Sequence, residues 1–334
     1  MFKRITYIII ISIAYLTFNT EESFSQDPEF TQYYANPLYL NPAFAGSIMC
    51  PRMVFNFRDQ WPNIPGTFVT YSASYDQHVN NLFGGIGILI YNDRAGEGTI
   101  NTTSASFMYS YRGEISKNFS IKAALQATYV QKSLDWDKLT WPDMINPMLG
   151  FINQTTEKKI DTRIAYPDFS AGILGYSDLF YGGVAVHHFM EPNETFFQQQ
   201  SILPRKYTVH IGTIVPMESK RRKHRKKLKP EDPVFSPNIV YQRQGEFSQF
   251  NYGFYVTKYP AVGGVWFRQC PENADAFILM IGFIQNSFKF GYSYDLTISS
   301  LTTATAGAHE ISLSMMFPCS PKRKRARVIM CPSF

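Results

Sequence analysis

Charge is scarce in this 334-residue chain: Asp, Glu, Lys and Arg make up 17% of it, against about a quarter in an ordinary soluble domain. That scarcity argues against a large water-facing surface. Cysteine is rare too, with four residues, far from the density of a disulfide-built scaffold. After the first 25 residues no run approaches the ~18 consecutive apolar residues of a membrane helix, so the body of the chain has no such span. The signatures HExxH, GxSxG, P-loop and CxxC are missing, and with them any standard catalytic constellation. Rings are what the chain has in plenty, with 21 Tyr and 28 Phe. Few charges and many rings fit β-structure with much of its surface against something apolar.

The net charge of +6 is unevenly placed. Eight Lys/Arg lie within 220–229 and five within 322–327, and 32 less these thirteen leaves 19 basic against 26 acidic residues. The body is therefore mildly acidic. Lys220, Arg221, Arg222, Lys223, Arg225, Lys226 and Lys227, with Lys322, Arg323, Lys324 and Arg325, are candidate partner-binding residues. Such blocks bind nucleic acid, anionic lipid or acidic protein, or are simply a solvated turn and tail. Residues 1–25 read as an export signal: Lys3 and Arg4, an apolar run from Ile5 to Phe18, and Ser23-Phe24-Ser25 ahead of Gln26. Export removes the nucleic-acid reading. If the exported chain enters a membrane it does so as a closed barrel, which alone satisfies every strand's backbone groups.

From Arg52 onward the chain alternates with period two. Val69, Tyr71, Ala73 and Tyr75 interleave with Thr70, Ser72, Ser74 and Asp76; Phe288, Phe290, Tyr292 and Tyr294 interleave with Lys289, Gly291, Ser293 and Asp295. One face is apolar and the other small or polar, as in a barrel with lipid outside and a polar lumen. Rings at segment ends (Tyr75, Tyr111, Tyr129, Tyr294, Phe317) fit interfacial girdles. Some fourteen segments emerge: 52–59, 67–76, 84–92, 101–112, 119–132, 168–177, 179–189, 205–216, 234–243, 247–257, 261–269, 276–285, 287–296 and 308–317. The fold class is thus all-β, a transmembrane antiparallel barrel of about 14 strands over 52–317, with a basic tail at 318–334. If both termini lie in the periplasm, most long connections fall outside and most short ones inside. Gly87, Gly212, Gly253 and Gly291 lie on the lumen face, where they serve the curvature of the wall or leave room for a plug.

The stretch Asp27–Gly46, within a segment spanning 26–51, breaks this pattern. It holds three prolines, two Asn-Pro steps and five rings. Proline excludes a regular helix or central strand, and the rings exclude a solvated linker. Tyr33, Tyr34, Asn36, Pro37, Leu38, Tyr39, Asn41, Pro42 and Phe44 are its candidate anchors, and two placements stay open. It starts at the periplasmic mouth and packs against or into the barrel's periplasmic half, or it is a periplasmic docking strip. His187 and His188 are neighbours and would point to opposite faces of a strand, so they would share no ligand. Asp135 and Asp137 read as a polar turn, with a cation site as the alternative. No cofactor or metal site is expected. Cys50 precedes the first strand and Cys319 follows the last, so a disulfide is expected from Cys50 to Cys319, or to Cys331, with Cys270 free.

DPEFTQYYANPLYLNPAFAG, MVFNFRDQWP (Met53–Pro62), GGIGILIYNDRAGEGTI (Gly84–Ile100), SPNIVYQRQGEFSQFNYG (Ser236–Gly253) and FKFGYSYDLTISSLTTATAGAHEISL (Phe288–Leu313) together resemble the PorP/SprF family, over essentially the whole exported chain. These are outer-membrane proteins of the type IX secretion and gliding machinery of Bacteroidota. The resemblance implies a barrel without enzymatic activity. It also implies partners: periplasmic ring subunits and ring lipoproteins, or the C-terminal domain of secreted cargo, in a setting of outer-membrane lipid. A passive channel for small solutes is the competing expectation.

Overall fold

The computed structural model describes residues 27–96, 99–116, 118–146, 148–156, 161–196, 200–217, 232–271, 274–298 and 306–318. The expected signal at 1–25, the block 220–229, Cys319, Cys331 and the tail from 322 lie outside these residues.

Fourteen strands form the wall: β1 Arg52–Gln60, β2 Phe68–Val79, β3 Gly84–Ala95, β4 Ile100–Ser116, β5 Phe119–Leu134, β6 Arg163–Tyr176 and β7 Phe180–His187. They continue as β8 Lys206–Thr213, β9 Val234–Gln244, β10 Phe247–Lys258, β11 Ala261–Gln269, β12 Ala274–Gln285, β13 Phe288–Thr297 and β14 Ala308–Met316. Each strand pairs antiparallel with the next, and β14 pairs with β1 from Arg52↔Met316 to Gln60↔Ala308, which closes the cylinder. All expected spans are present, with β6 starting at Arg163 rather than 168. A small hairpin, Ile145–Asn146 against Gly150–Phe151, is an addition inside the connection after β5. It has no period-two run long enough to show in the sequence. The Asp143 carboxylate helps close its loop by accepting from Thr155 Oγ1 at 3.0 Å and Thr156 N at 2.7 Å.

Burial runs outside-in. Leu125 is 70% and Ile281 66% exposed on the outer face, while Ser104, Ser110 and Asn251 on the inner face are fully buried. Tyr111, Tyr129 and Phe317 stand exposed near strand ends. This is the polarity of a wall bathed in lipid, where only complete strand pairing satisfies the backbone. Among the connections, those after β5, β7 and β13 are long and gather at one end; short turns such as that between β12 and β13 gather at the other, where the connection from β8 to β9 is the long exception.

Cys50 is disulfide-bonded and Cys270 carries a free thiol. Peptide mapping without reduction is expected to recover Cys50 joined to Cys319 or Cys331, and recovery of Cys50 as a free thiol in denatured protein would refute the pairing. Replacing outward Leu125, midway along β5, by Arg is expected to lower folding free energy in lipid vesicles by about 2–4 kcal/mol, measured by urea titration.

Candidate functional site: a plug held inside the barrel

The lumen is filled by the chain's own start. Asp27 lies at the long-loop end, where its backbone N–H donates to Gln244 Oε1 at 3.1 Å. From there the segment descends to Gly46, at the short-turn end, and passes into β1. Each Asn-Pro step starts one helical turn. Pro37–Leu40 forms α1, with Asn36 at its N-cap, and Pro42–Phe44 forms a 3-10 turn whose cap, Asn41, accepts from Ala43 N at 2.9 Å. Proline at the first helical position costs nothing, because its missing N–H would be unbonded there anyway. Relative to the wall, the segment starts at the long-loop end, opposite the short-turn end at which it is expected to enter. Its start lies among the ends of β7, β8 and β9 at the long-loop end, and its finish lies at the turn end. The reason is that its last residues must be contiguous with the start of β1.

Apolar packing seats the plug. Leu38 and Ala43 are fully buried, and Tyr33, Tyr34 and Phe44 nearly so. Phe44 stacks on the His210 ring at 5.2 Å. Tyr34 meets Tyr181 edge-on at 5.5 Å, and Tyr33 lies 5.1 Å from Trp266. Half-buried Tyr39 contacts Phe30 at 5.0 Å and carries Lys206 Nζ 5.1 Å above its ring. Burial of one such side chain is worth about 1.5–3 kcal/mol. Close approach needs glycine at two places: a Cβ on Gly85 would lie 2.5 Å from Gly46 Cα, and one on Gly172 would lie 2.1 Å from Asn41 Oδ1. Gly87 does face the plug, at Leu38, whereas Gly212 and Gly253 make room for the wall side chains Tyr181 and Trp266.

Polar contacts fix the plug's register. Glu310 Oε2 accepts from Thr31 N at 2.7 Å, and its Oε1 accepts from Gln32 N at 3.2 Å. Lower down, Asn36 Nδ2 donates to Ser72 Oγ at 3.0 Å. Asn41 Nδ2 donates to the Ile173 carbonyl at 3.2 Å. Gly46 N donates to Asp76 Oδ2 at 2.9 Å. Behind Glu310 lies a buried ionic cluster. Arg58 reaches Asp295 at 3.0 Å and Glu310 at 3.4 Å. Arg268 reaches Glu29, Asp275 and Asp295, each at 2.8 Å. None of these charges stood out in the sequence, because a lone Arg or Glu on the polar face of a strand reads as one more lumen residue. The one available signal was their density: Arg58, Arg268, Asp295 and Glu310 all lie near the same end of the wall.

At the long-loop end the plug's start is clasped. His188 Nε2 lies 2.9 Å from Asp27 Oδ2 and its Nδ1 2.9 Å from Asp168 Oδ2, with Lys206 Nζ 3.4 Å from Asp27. This corrects the expectation that His187 and His188 face apart. His188 has φ +58°, so strand alternation stops at His187 and both rings turn inward, 6.4 Å apart. Burial alone would push the His188 imidazole down; Asp27 and Asp168 outweigh it and raise its pKa to about 10. Burial likewise favours a neutral Asp27, but His188 and Lys206 hold its carboxyl well below the usual carboxylate range.

Above the plug a cavity of about 370 Å³ opens at the long-loop end, lined by Glu29, Tyr39, Trp61, Tyr91, Lys132 and Gln249 among others. Asp135 and Asp137 form a local turn, Asp137 N donating to Asp135 Oδ1 at 3.3 Å. Among the described residues no three His, Cys, Asp or Glu side chains are grouped to hold a metal. The basic residues Lys220–Lys227 and Lys322–Arg325 lie outside the described residues.

Phe44→Ala is expected to destabilise the folded barrel by about 3–5 kcal/mol. Arg268→Ala, which takes the ion pair from Glu29 and one of two guanidinium partners from buried Asp295, should cost a similar ~3–5 kcal/mol. Both are read by denaturant titration. The clasp has a pH window. His188, raised from 6.5 to about 10, contributes fully below 6.5 and loses its contribution as pH climbs through about 10. Asp27, lowered, contributes above the ordinary carboxylate pKa of ~3.9 and loses it as pH falls below that. The thiol of P28C, in a Cys270→Ser background, is expected to label slowly at neutral pH relative to the unfolded protein, and the folded-to-unfolded rate ratio, which cancels thiolate ionisation, should rise at alkaline pH; His188→Gln should raise the neutral ratio and remove its pH dependence.

No curated protein matches the chain in sequence. Among solved structures, the Ralstonia pickettii toluene transporter TbuX is 9% identical, with 84% of this chain and 93% of that one covered and a TM-score of 0.47. The CymD monoaromatic hydrocarbon channel gives 10%, 85%, 93% and 0.46, and a Pseudomonas aeruginosa FadL homologue 10%, 89%, 99% and 0.44. These likenesses are of barrel shape alone. The model of the type IX secretion system membrane protein PorP/SprF matches residues 22–315, nearly the whole chain. The match spans both the plug and the fourteen-stranded wall, and the chain belongs to the PorP/SprF family.

Proposed function

We propose that this protein is a plugged structural component of the type IX machinery, anchoring periplasmic partners or carrying secreted cargo rather than conducting solutes. The observation that carries the reading is the filled lumen: from Phe30 to Ala45 the plug's side chains are buried, apart from half-buried Tyr39. A passive channel needs a continuous wet path, and a segment anchored through Thr31, Asn41 and Gly46 along its length stands in that path.

Outer-membrane barrels put long loops outside and short turns in the periplasm. On that orientation β8 and β9 open into the periplasm, so the connection carrying Lys220–Lys227 leaves the wall there, as does the tail after β14. Clustered Lys and Arg at that face suit an acidic ring subunit or anionic headgroups. The start of the plug, at the opposite end, is then on the cargo side.

Planar-bilayer recording separates the readings. The intact protein is expected to be silent and a 27–46 deletion to conduct; steady large openings of intact protein would favour the channel. Replacing Lys220–Lys227 with Ser and Gly is expected to abolish salt-sensitive co-purification with acidic ring subunits from outer membranes while leaving the barrel folded. Unchanged recovery of those subunits would count against an anchoring role for the block.

A further inference from the structure

One seam of the wall is open at the long-loop end. β6 pairs with β7 only from Ala171↔Val186 to Tyr176↔Tyr181. Its earlier residues, from Arg163 to Ser170, pair with β5 on one side, and on the other Phe189 N–H donates to the Phe169 carbonyl at 3.0 Å. At that end no other strand overhangs its neighbour by more than three residues, the stretch Phe247–Gln249 of β10. The cause is local. The positive φ of His188 turns the chain inward, and the connection folds as a small hairpin with Asn193 bridged to Ile202 and Lys132 Nζ 2.8 Å from Glu194. The connection thereby fills the mouth of the barrel instead of continuing the wall.

The free edge has a definite chemistry. The Phe169 carbonyl points to the open side, so by strand alternation the backbone groups of Pro167, Ala165 and Arg163 do too. That leaves two N–H donors, on Arg163 and Ala165, and three carbonyls, with no partner among the described residues. Arg163, Ala165 and Pro167 are exposed, and their outward side chains are small or charged, above the last lipid-facing ring, Phe169. An open edge is not tolerated within hydrocarbon and is a template for strand addition where water reaches it.

We propose that this edge of β6 is a docking site for an extended segment of a partner polypeptide, which adds as an antiparallel strand in the place β7 leaves vacant. Pro167 withholds one donor, so an added strand accepts from the edge at Arg163 and Ala165 only. The exposed guanidinium of Arg163 selects a segment with an acidic residue on its outward face. The proposal does not depend on which role the protein plays in secretion.

A photo-crosslinking residue placed at Ala165 in the full-length protein tests it in native outer membranes, with the same residue at Ser133 on the outer face of β5 as control. The expected result is adducts at Ala165 that map to one extended segment of one polypeptide, shifting by two residues when the probe moves to Arg163. A second variant, Ala165→Pro with the probe at Arg163, removes an edge donor and leaves the β5 ladder intact. It should reduce the adduct roughly two- to tenfold, the worth of one backbone hydrogen bond, while the heat-dependent gel shift of the folded barrel is unchanged. Adducts to lipid alone, adducts scattered over many proteins, or a yield indifferent to Ala165→Pro would overturn the proposal.

Discussion

The interior of this barrel depends on one carboxylate. Glu310, on the last strand, accepts the backbone amides of Thr31 and Gln32, at the head of the plug. The plug runs directly into β1, and β1 pairs with β14 to close the cylinder. Arg58 of β1 sits against Glu310 and also against Asp295 of β13. The residues that hold the plug are thus the residues that line the closing seam. Plug insertion and barrel closure share the same ions, so the lumen is filled as the wall is completed. The value of such a buried cluster lies in register more than in raw stability, since apolar replacements of equal shape are often as stable. A plug that slid by one residue would leave Glu310 facing a different pair of groups and Arg58 poorly matched.

Around this cluster the lumen divides into zones. Toward the short-turn end the wall presents Leu89, Met108, Leu174, Tyr181 and Trp266, and the plug answers with Leu38, Phe44 and its tyrosines in one apolar cluster. Toward the long-loop end the contacts become ionic, and the cavity above them is lined by rings, carboxylates and amides. The tight, dry zone anchors; the wet, charged zone is where the plug's start meets the outside. Family and fold together point to a non-enzymatic outer-membrane protein, and Glu310, Arg268, His188 and Lys206 of this lumen are engaged in holding the plug.

The wall was legible in the sequence because period-two alternation is a backbone property: it survives whatever lies on either side. All fourteen strands follow from it, and so does the sense in which the apolar face points. The plug was legible as an anomaly, a ring-rich segment broken by proline, but its direction was not. Direction depends on contacts between residues far apart in sequence, such as Asp27 with His188 and Thr31 with Glu310, which composition does not encode. The pair His187 and His188 shows the limit most clearly. Alternation sends them to opposite faces, and a single left-handed residue brings them to the same one. The sequence carries no mark of that turn, since the Asp27 and Asp168 carboxylates that hold His188 come from other elements.

That same turn links the clasp on the plug to the free edge of β6. If the chain after His187 stayed extended it would pair with the upper half of β6, and the imidazole of His188 would leave Asp27. By turning in, His188 clasps the plug and exposes the edge of β6 in one backbone step. Asp168, which receives His188 Nδ1, is itself a β6 residue at the upper limit of the paired seam. A strand added along Arg163–Pro167 would therefore stiffen the element that supplies half of the clasp.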